Sequence, residues 1–283
     1  AETCAVLMFI TLNHRLFLAT GDGKYIDVME RGMYNNTLSG VSVAGNRYFY
    51  VNRLASAGDG RDTRWERASL ECCPPNLVRF LAAMPGFVYA QDKQDAVYVN
   101  LYLSSEASFS ISGKDLALAV ESEMPWGGKS KITVAAKQEV RGVIKLRIPG
   151  WSERNTLDIN GKTAPAPHSG GYVELRRQWK AGDTVVLQLD IRPRLMVANP
   201  LLETSRNQVA VMRGPLVYCL ETADHSDLRL DELMLDPSIP AEAVRSFLDH
   251  RDAYAYDNDN PSNAYRYLEP PRLVQEGERK PRK

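Results

Sequence analysis

The residues best suited to chemistry fall in two short stretches, Glu2-Thr3-Cys4 and Cys72-Cys73-Pro74-Pro75-Asn76. Adjacent cysteines rarely bond to each other, because the resulting ring strains the peptide between them; deprotonated, both can coordinate one zinc ion. Glu2, Cys4, Cys72 and Cys73 together offer three sulfurs and a carboxylate, a donor set suited to a metal. Glu2 adds a geometric condition. Residues two apart point to different sides of a helix but to one side of an extended segment, so Glu2 and Cys4 can share a cation only before a helix begins.

The surrounding elements have to position these groups. An apolar stretch from Ala5 through Ile10 to Leu18 reads as a largely buried helix, stopped by Thr20-Gly21-Asp22-Gly23. Tyr25, Val28, Met29 and Met33 share a face of a second helix, with Asp22 placed to cap it. Behind the proline pair, Leu77, Phe80, Leu81 and Met84 recur at helical spacing, so Cys72 and Cys73 sit just ahead of a helix N-terminus. The partial positive charge there is expected to lower a thiol pKa and favour thiolate, which is both metal ligand and nucleophile. Cys219, within Pro215-Leu216-Val217-Tyr218-Cys219-Leu220, reads instead as a buried small hydrophobe.

From Gly86 onward the hydrophobic period changes to two. Val97, Val99, Leu101 and Leu103 alternate with polar or aromatic neighbours, as do Leu116, Leu118 and Val120, and Ile144, Leu146 and Ile148. Turn signals at Trp126-Gly127-Gly128, Asn160-Gly161-Lys162 and Ala181-Gly182-Asp183 separate strands suited to an antiparallel sandwich. The chain therefore reads as multidomain α and β: a helical part over residues 1–88, a β-sandwich over 89–195, and a second β-like domain over 196–283. The last of these ends in the charged tail Arg279-Lys280-Pro281-Arg282-Lys283.

The 283 residues carry 35 Lys plus Arg against 35 Asp plus Glu, so no net field draws in nucleic acid or an anionic membrane, and neither partner is expected. The opening helix has no basic leader and contains Asn13, His14 and Arg15, which argues against a signal peptide or a membrane anchor. His14, His168, His225 and His250 are scattered, without a His-Glu-x-x-His helix, and read as surface or core residues. The chain begins on a candidate metal ligand without a starting methionine, which suggests a piece of a longer protein. Thiols without an even disulfide framework suit a reducing, cytoplasmic setting.

Glu2-Thr3-Cys4-Ala5, Arg47-Tyr48-Phe49-Tyr50-Val51-Asn52, Cys72-Cys73-Pro74-Pro75-Asn76, Pro125-Trp126-Gly127-Gly128-Lys129, Ile148-Pro149-Gly150-Trp151 and Arg213-Gly214-Pro215-Leu216-Val217-Tyr218 occur in this order. In that order they resemble the zinc-dependent β-L-arabinofuranosidases of glycoside hydrolase family 127 and its near relatives. The resemblance runs to about Glu221, and the double cysteine with two prolines is its most specific part. It implies an (α/α)6 barrel followed by antiparallel β-sandwich domains, of which this chain would hold the last barrel helices. It also implies zinc held by Glu2, Cys4, Cys72 and Cys73, with Cys72 as nucleophile. Tyr50 becomes a sugar contact by its place in the motif, set against the competing reading as a core aromatic. The general acid/base glutamate of such enzymes precedes the Glu-Thr-Cys motif and is expected outside this chain. The approach to the cysteine pair, Trp65 to Glu71, departs from the tryptophan-phenylalanine-glycine type of the best-known members, which leaves the exact sugar open.

The expected function is that of a retaining glycoside hydrolase removing terminal β-L-arabinofuranose from an arabinofuranosyl oligosaccharide or glycan. The competing reading is a β-sandwich carbohydrate-binding or interaction module with a purely structural zinc, in which Trp126, Trp151 and Trp179 stack on sugars. A redox-sensing thiol pair is weaker, since no CxxC is present. Nothing in the sequence argues for or against a homodimer through the β domains.

Overall fold

The computed structural model describes residues 2–42, 44–53, 63–66, 71–206, 208–219, 233–234 and 274–275. The charged tail, His225 and His250 lie outside them. The chain divides into two compact units. The first comprises Ala1–Ala55, Asp59–Ile191 and Gly214–Leu216; the second comprises Ser56–Gly58, Arg192–Arg213 and Val217–Lys283.

The first unit opens with α1 (Thr3–Thr20), which ends at Gly21 in the left-handed conformation (φ 71°), where the Gly21 amide closes on the Phe17 carbonyl. Next come α2 (Lys24–Gly32), a π-helical turn (Met33–Leu38), α3 (Cys73–Ala83) and the short α4 (Pro85–Val88). α1 is amphipathic rather than largely buried. Leu7, Ile10, Asn13 and Phe17 are buried at helical spacing, while Met8, Phe9, Leu12, Leu16 and Leu18 are exposed. By length and hydropathy alone α1 could cross a membrane; here its buried face joins Ile26 and Met29 of α2 and Leu77 and Phe80 of α3 in one core. Gly32 allows the close approach of α1 and α2, since a Cβ there would lie 3.0 Å from Ile10 Cγ1 and 3.3 Å from Val6 Cγ1. In α2 the buried positions are Ile26, Met29 and Glu30, so Glu30 and Ile26 take the places expected for Tyr25 and Val28.

Ten strands follow in this unit: β1 (Tyr89–Gln91), β2 (Val97–Val99), β3 (Ser105–Ile111), β4 (Lys114–Ser122), β5 (Lys129–Ala135), β6 (Val140–Ile148), β7 (Thr156–Ile159), β8 (Lys162–Ala164), β9 (Gly171–Trp179) and β10 (Thr184–Gln188). They form two sheets of order β1-β2-β6-β9 and β3-β4-β5-β10-β7-β8. Pairing is antiparallel except between β2 and β6, which run parallel with Val97 opposite Ile144. Val99, Ile144, Leu146 and Trp179 of the first sheet meet Leu118, Ile132, Val185 and Leu187 of the second in a single apolar core. Trp151 and Trp179 are buried in that core, which removes them as sugar platforms, whereas Trp126 is exposed.

The helical layer is riveted to the first sheet by a buried charge cluster. Arg147, fully buried on β6, donates from Nη2 to Glu30 Oε1 at 2.6 Å, from Nη1 to Asp27, and from Nε to the Asn100 carbonyl at 2.6 Å. Trp151 Nε1 donates to the other Glu30 oxygen at 3.1 Å. Period-two reasoning expects no arginine inside, and none of the partners is near it in sequence.

In the second unit β11 (Pro193–Val197) pairs antiparallel with β12 (Val209–Arg213), around a short 3-10 turn at Glu203–Ser205. β13 (Leu216–Tyr218) begins on the last residue of the first unit, and within the second unit β14 (Leu233–Met234) pairs with β15 (Val274–Gln275). Cys219 lies just past β13 and is exposed, not buried as its apolar neighbours suggested, because the strand has already ended.

Candidate metal centre

Glu2 and Cys4 converge because the helix begins between them. Glu2 is extended (φ −68°, ψ 138°), and α1 starts at Thr3. Thr3 sets this start in place: its amide donates to the Tyr50 carbonyl at 3.0 Å, its hydroxyl to the Phe49 carbonyl at 2.6 Å, and Glu2 bridges to Val51. Across from them, Cys72 is the N-cap of α3 and Cys73 its first residue, with the prolines filling the first turn, where a missing amide hydrogen costs nothing.

One ligand atom from each of Glu2, Cys4, Cys72 and Cys73 lies within 4.8 Å of all the others. Cys4 Sγ is 3.2 Å from Cys72 Sγ and 3.5 Å from Cys73 Sγ; the adjacent pair are 3.8 Å apart, and Cys72 Sγ is 4.0 Å from Glu2 Oε1. The donor set fits a tetrahedral thiophilic ion. Zinc–sulfur bonds of about 2.3 Å imply sulfur–sulfur edges of about 3.8 Å, so small adjustments suffice. Cys73 is buried, Cys4 half-buried and Cys72 exposed.

The thiol acidity runs against the sequence expectation. Contact with Cys4, then burial, raises the Cys72 thiol, and burial, then contact with Cys4, pushes Cys73 up to about 12. Burial and the Cys4 contact decide this, and like-charge repulsion adds to them. At the 3.5 Å of the Cys4–Cys73 pair, two unit charges repel by roughly 5 kcal/mol at an effective permittivity near 20, against about 0.3–1 kcal/mol from a helix N-terminus. Cys72 and Cys73 therefore favour the thiol form until a cation is bound.

The sequence assigned no role to three neighbours. Asn76, one turn after Cys72, donates from Nδ2 to Cys4 Sγ at 3.2 Å; the i, i+4 spacing was the available signal. Trp65 stacks on Tyr50 with ring centres 5.3 Å apart and planes 4° from parallel. Tyr48, buried beside Cys73 in the helical core, is the third. Tyr50 is half-buried, and the Glu2 charge, then burial, raises its phenol, so it stands next to the carboxylate end of the cluster. Glu71 is exposed.

Residues 1–86 match the family profile described as the GH127 catalytic domain of β-L-arabinofuranosidase, residues 96–191 its GH127 middle domain, and residues 193–263 the glycoside hydrolase family 127 C-terminal domain. The non-reducing end β-L-arabinofuranosidase of Bifidobacterium longum subsp. longum is 33% identical over 264 residues, which cover 87% of this chain and 39% of that protein. The crystal structure of a GH127 β-L-arabinofuranosidase from Geobacillus stearothermophilus T6 is similar with a TM-score of 0.78 and 35% identity, over 84% of this chain and 39% of that one. A GH127 β-arabinofuranosidase of solved structure gives a TM-score of 0.73 and 40% identity, over 79% and 37% of the two chains. The chain thus spans about two fifths of the length of these relatives.

Proposed function

The chain belongs to glycoside hydrolase family 127, and on that footing we propose that it carries the metal-and-nucleophile part of a retaining β-L-arabinofuranosidase. Glu2, Cys4, Cys72 and Cys73 hold zinc, and Cys72 is the nucleophile. The observation that carries the reading is the convergence of four donor atoms within 4.8 Å from stretches about 70 residues apart. Cys72 is favoured over Cys73 because it is exposed while Cys73 is sealed in the core. What zinc supplies when bound is deprotonation and fixed direction of the thiols, with some loss of nucleophilicity.

The remaining steps belong to side chains. The Cys72 thiolate attacks the anomeric carbon of a terminal furanoside; the sulfur–carbon bond forms as the glycosidic carbon–oxygen bond breaks, and a carboxylic acid gives its proton to the departing oxygen. Water, deprotonated by the same carboxylate, then displaces the thiolate, so configuration is retained. We assign that acid/base to a glutamate outside this chain, and we read α1 and α3 as the last helices of an (α/α)6 barrel. The outward Met8, Phe9, Leu12 and Leu16 of α1, with Val78 and Leu81 of α3, support the barrel reading, since these apolar side chains await cover. Tyr50, stacked on Trp65, contacts the sugar. The ligand is an arabinofuranosyl oligosaccharide or glycan rather than nucleic acid or membrane, and the thiol cluster suits the reducing cytoplasm.

An activated β-L-arabinofuranoside whose leaving group needs no protonation tests the nucleophile. In the full-length polypeptide we expect one pentosyl group trapped on the peptide containing Cys72, and no turnover after Cys72→Ser. Turnover by Cys72→Ser, or a label on another residue, would exclude Cys72. The rival reading, a sandwich module with a structural zinc, predicts no label while zinc stays bound.

A further inference from the structure

The core that holds Cys73 contains a phenol without a hydrogen-bond partner among the described residues. Tyr48 is 5% exposed, and its buried hydroxyl has no hydrogen-bond partner among the described residues. Its ring belongs to the same apolar cluster as Cys73, Leu7 and Leu77. The backbone is held on both sides, by a two-way exchange with Trp65 at 3.1 and 2.7 Å and by a bridge to Val41. Two residues on, the Tyr50 carbonyl accepts the amide of Thr3, the residue between the ligand candidates Glu2 and Cys4. The segment carrying Tyr48 is thus pinned to the metal centre at one end and to the core at the other.

A buried hydroxyl is seldom left without a partner, because it gives up its bonds to water and gains none. Thiolates are acceptors, and among the described residues the side-chain donor recorded on these sulfurs from outside the cluster is Asn76, which serves Cys4. Cys73 is fully buried and meets the Cys4 backbone amide, but among the described residues no side-chain donor from outside the cluster reaches it.

We propose that Tyr48 is a positioning residue of the metal centre, its hydroxyl donating to the Cys73 sulfur when that sulfur is a thiolate ligand and so fixing its direction. The acceptor is Cys73 rather than Cys72 because Cys73 shares the dry cluster with Tyr48, whereas Cys72 faces solvent. Outer donors of this kind orient metal ligands and tune the bond they make. The proposal rests on the reading that the four residues hold a thiophilic cation. It has an unusual signature: the hydroxyl has a partner only in the loaded state, so deleting it weakens metal binding without weakening the metal-free fold.

Cobalt(II) titration of the full chain and of its Tyr48→Phe variant under reducing conditions, followed by the sulfur-to-cobalt charge-transfer band and by chelator competition, reads this directly. Tyr48→Phe should bind cobalt roughly 10- to 100-fold more weakly, with a displaced charge-transfer band and a metal-free thermal midpoint equal to or above that of the parent. An affinity within about twofold of the parent with an unchanged band overturns the assignment. A lowered metal-free midpoint overturns it too, since the hydroxyl would then be serving the fold. A parent chain that shows no charge-transfer band overturns the metal reading itself, and this assignment with it.

Discussion

Asn76 has no charge and no reactive atom, yet it is the side chain that reaches a cluster sulfur from the next turn of α3, at 3.2 Å from Cys4 Sγ. An amide N–H directed at a sulfur becomes a charge-assisted bond once the sulfur is ionised, and such bonds are about twice as strong as neutral ones. Asn76→Ala should therefore weaken metal binding by roughly tenfold, measured by chelator competition. Asn76→Asp should weaken it further, because it swaps a donor for a like charge. The same logic explains why the thiols are reluctant to ionise by themselves. Three sulfurs and a carboxylate within 4.8 Å cannot all be charged without a cation. Metal uptake near neutral pH should accordingly release protons, and apparent affinity should rise with pH, because Cys73 holds its proton up to about 12. Calorimetry in buffers of different ionisation enthalpy checks this; a proton count of zero would contradict it.

At the scale of the element, the start of α1 and the turn between β9 and β10 show how single polar residues fix geometry. Thr3, fully buried, ties α1 to the Phe49 and Tyr50 carbonyls, and so decides that Glu2 is extended while Cys4 is helical. In the turn, Asp183 is buried and accepts from the Lys180 amide at 3.0 Å and from Asn160 Nδ2 at 2.8 Å, next to Gly182 at φ 84°. Burial works to raise its carboxyl, but the Lys180 amide, Asn160, Arg177 and the Lys180 charge together hold it below the ordinary aspartate value of 3.8. A carboxyl lowered in the fold stabilises above its unfolded pKa, and that contribution fades as pH falls through the lowered value. Asp183→Asn should thus cost about 1–3 kcal/mol at pH 7, read by chemical denaturation. The gap to the parent should narrow in acid below the ordinary aspartate value, and a constant gap would rule out the ionised carboxylate as its source.

For the first compact unit as a whole, the decisive contact is Arg147 between Asp27 and Glu30, which joins the helical layer to the sandwich through groups about 120 residues apart. Burial raises the Glu30 carboxyl even against the opposing pull of Arg147, so the pair is specific rather than generously stabilising. Arg147→Met should destabilise by about 3–5 kcal/mol, because buried Glu30 and half-buried Asp27 are left without their cation. Adding Glu30→Gln should recover part of that loss; a second mutation that only adds to the first would show the charges were not coupled. By itself the sequence determined the donor residues, the turn from helical to period-two patterning near residue 86, and the family, because each is written in local spacing and residue type. The tertiary structure alone decided the geometry in which the four donors meet, that the Cys72 and Cys73 thiols resist ionisation, that β2 runs parallel to β6, and that Tyr48 and Arg147 are buried. Those outcomes depend on which distant surfaces exclude water from one another, a property no local pattern records.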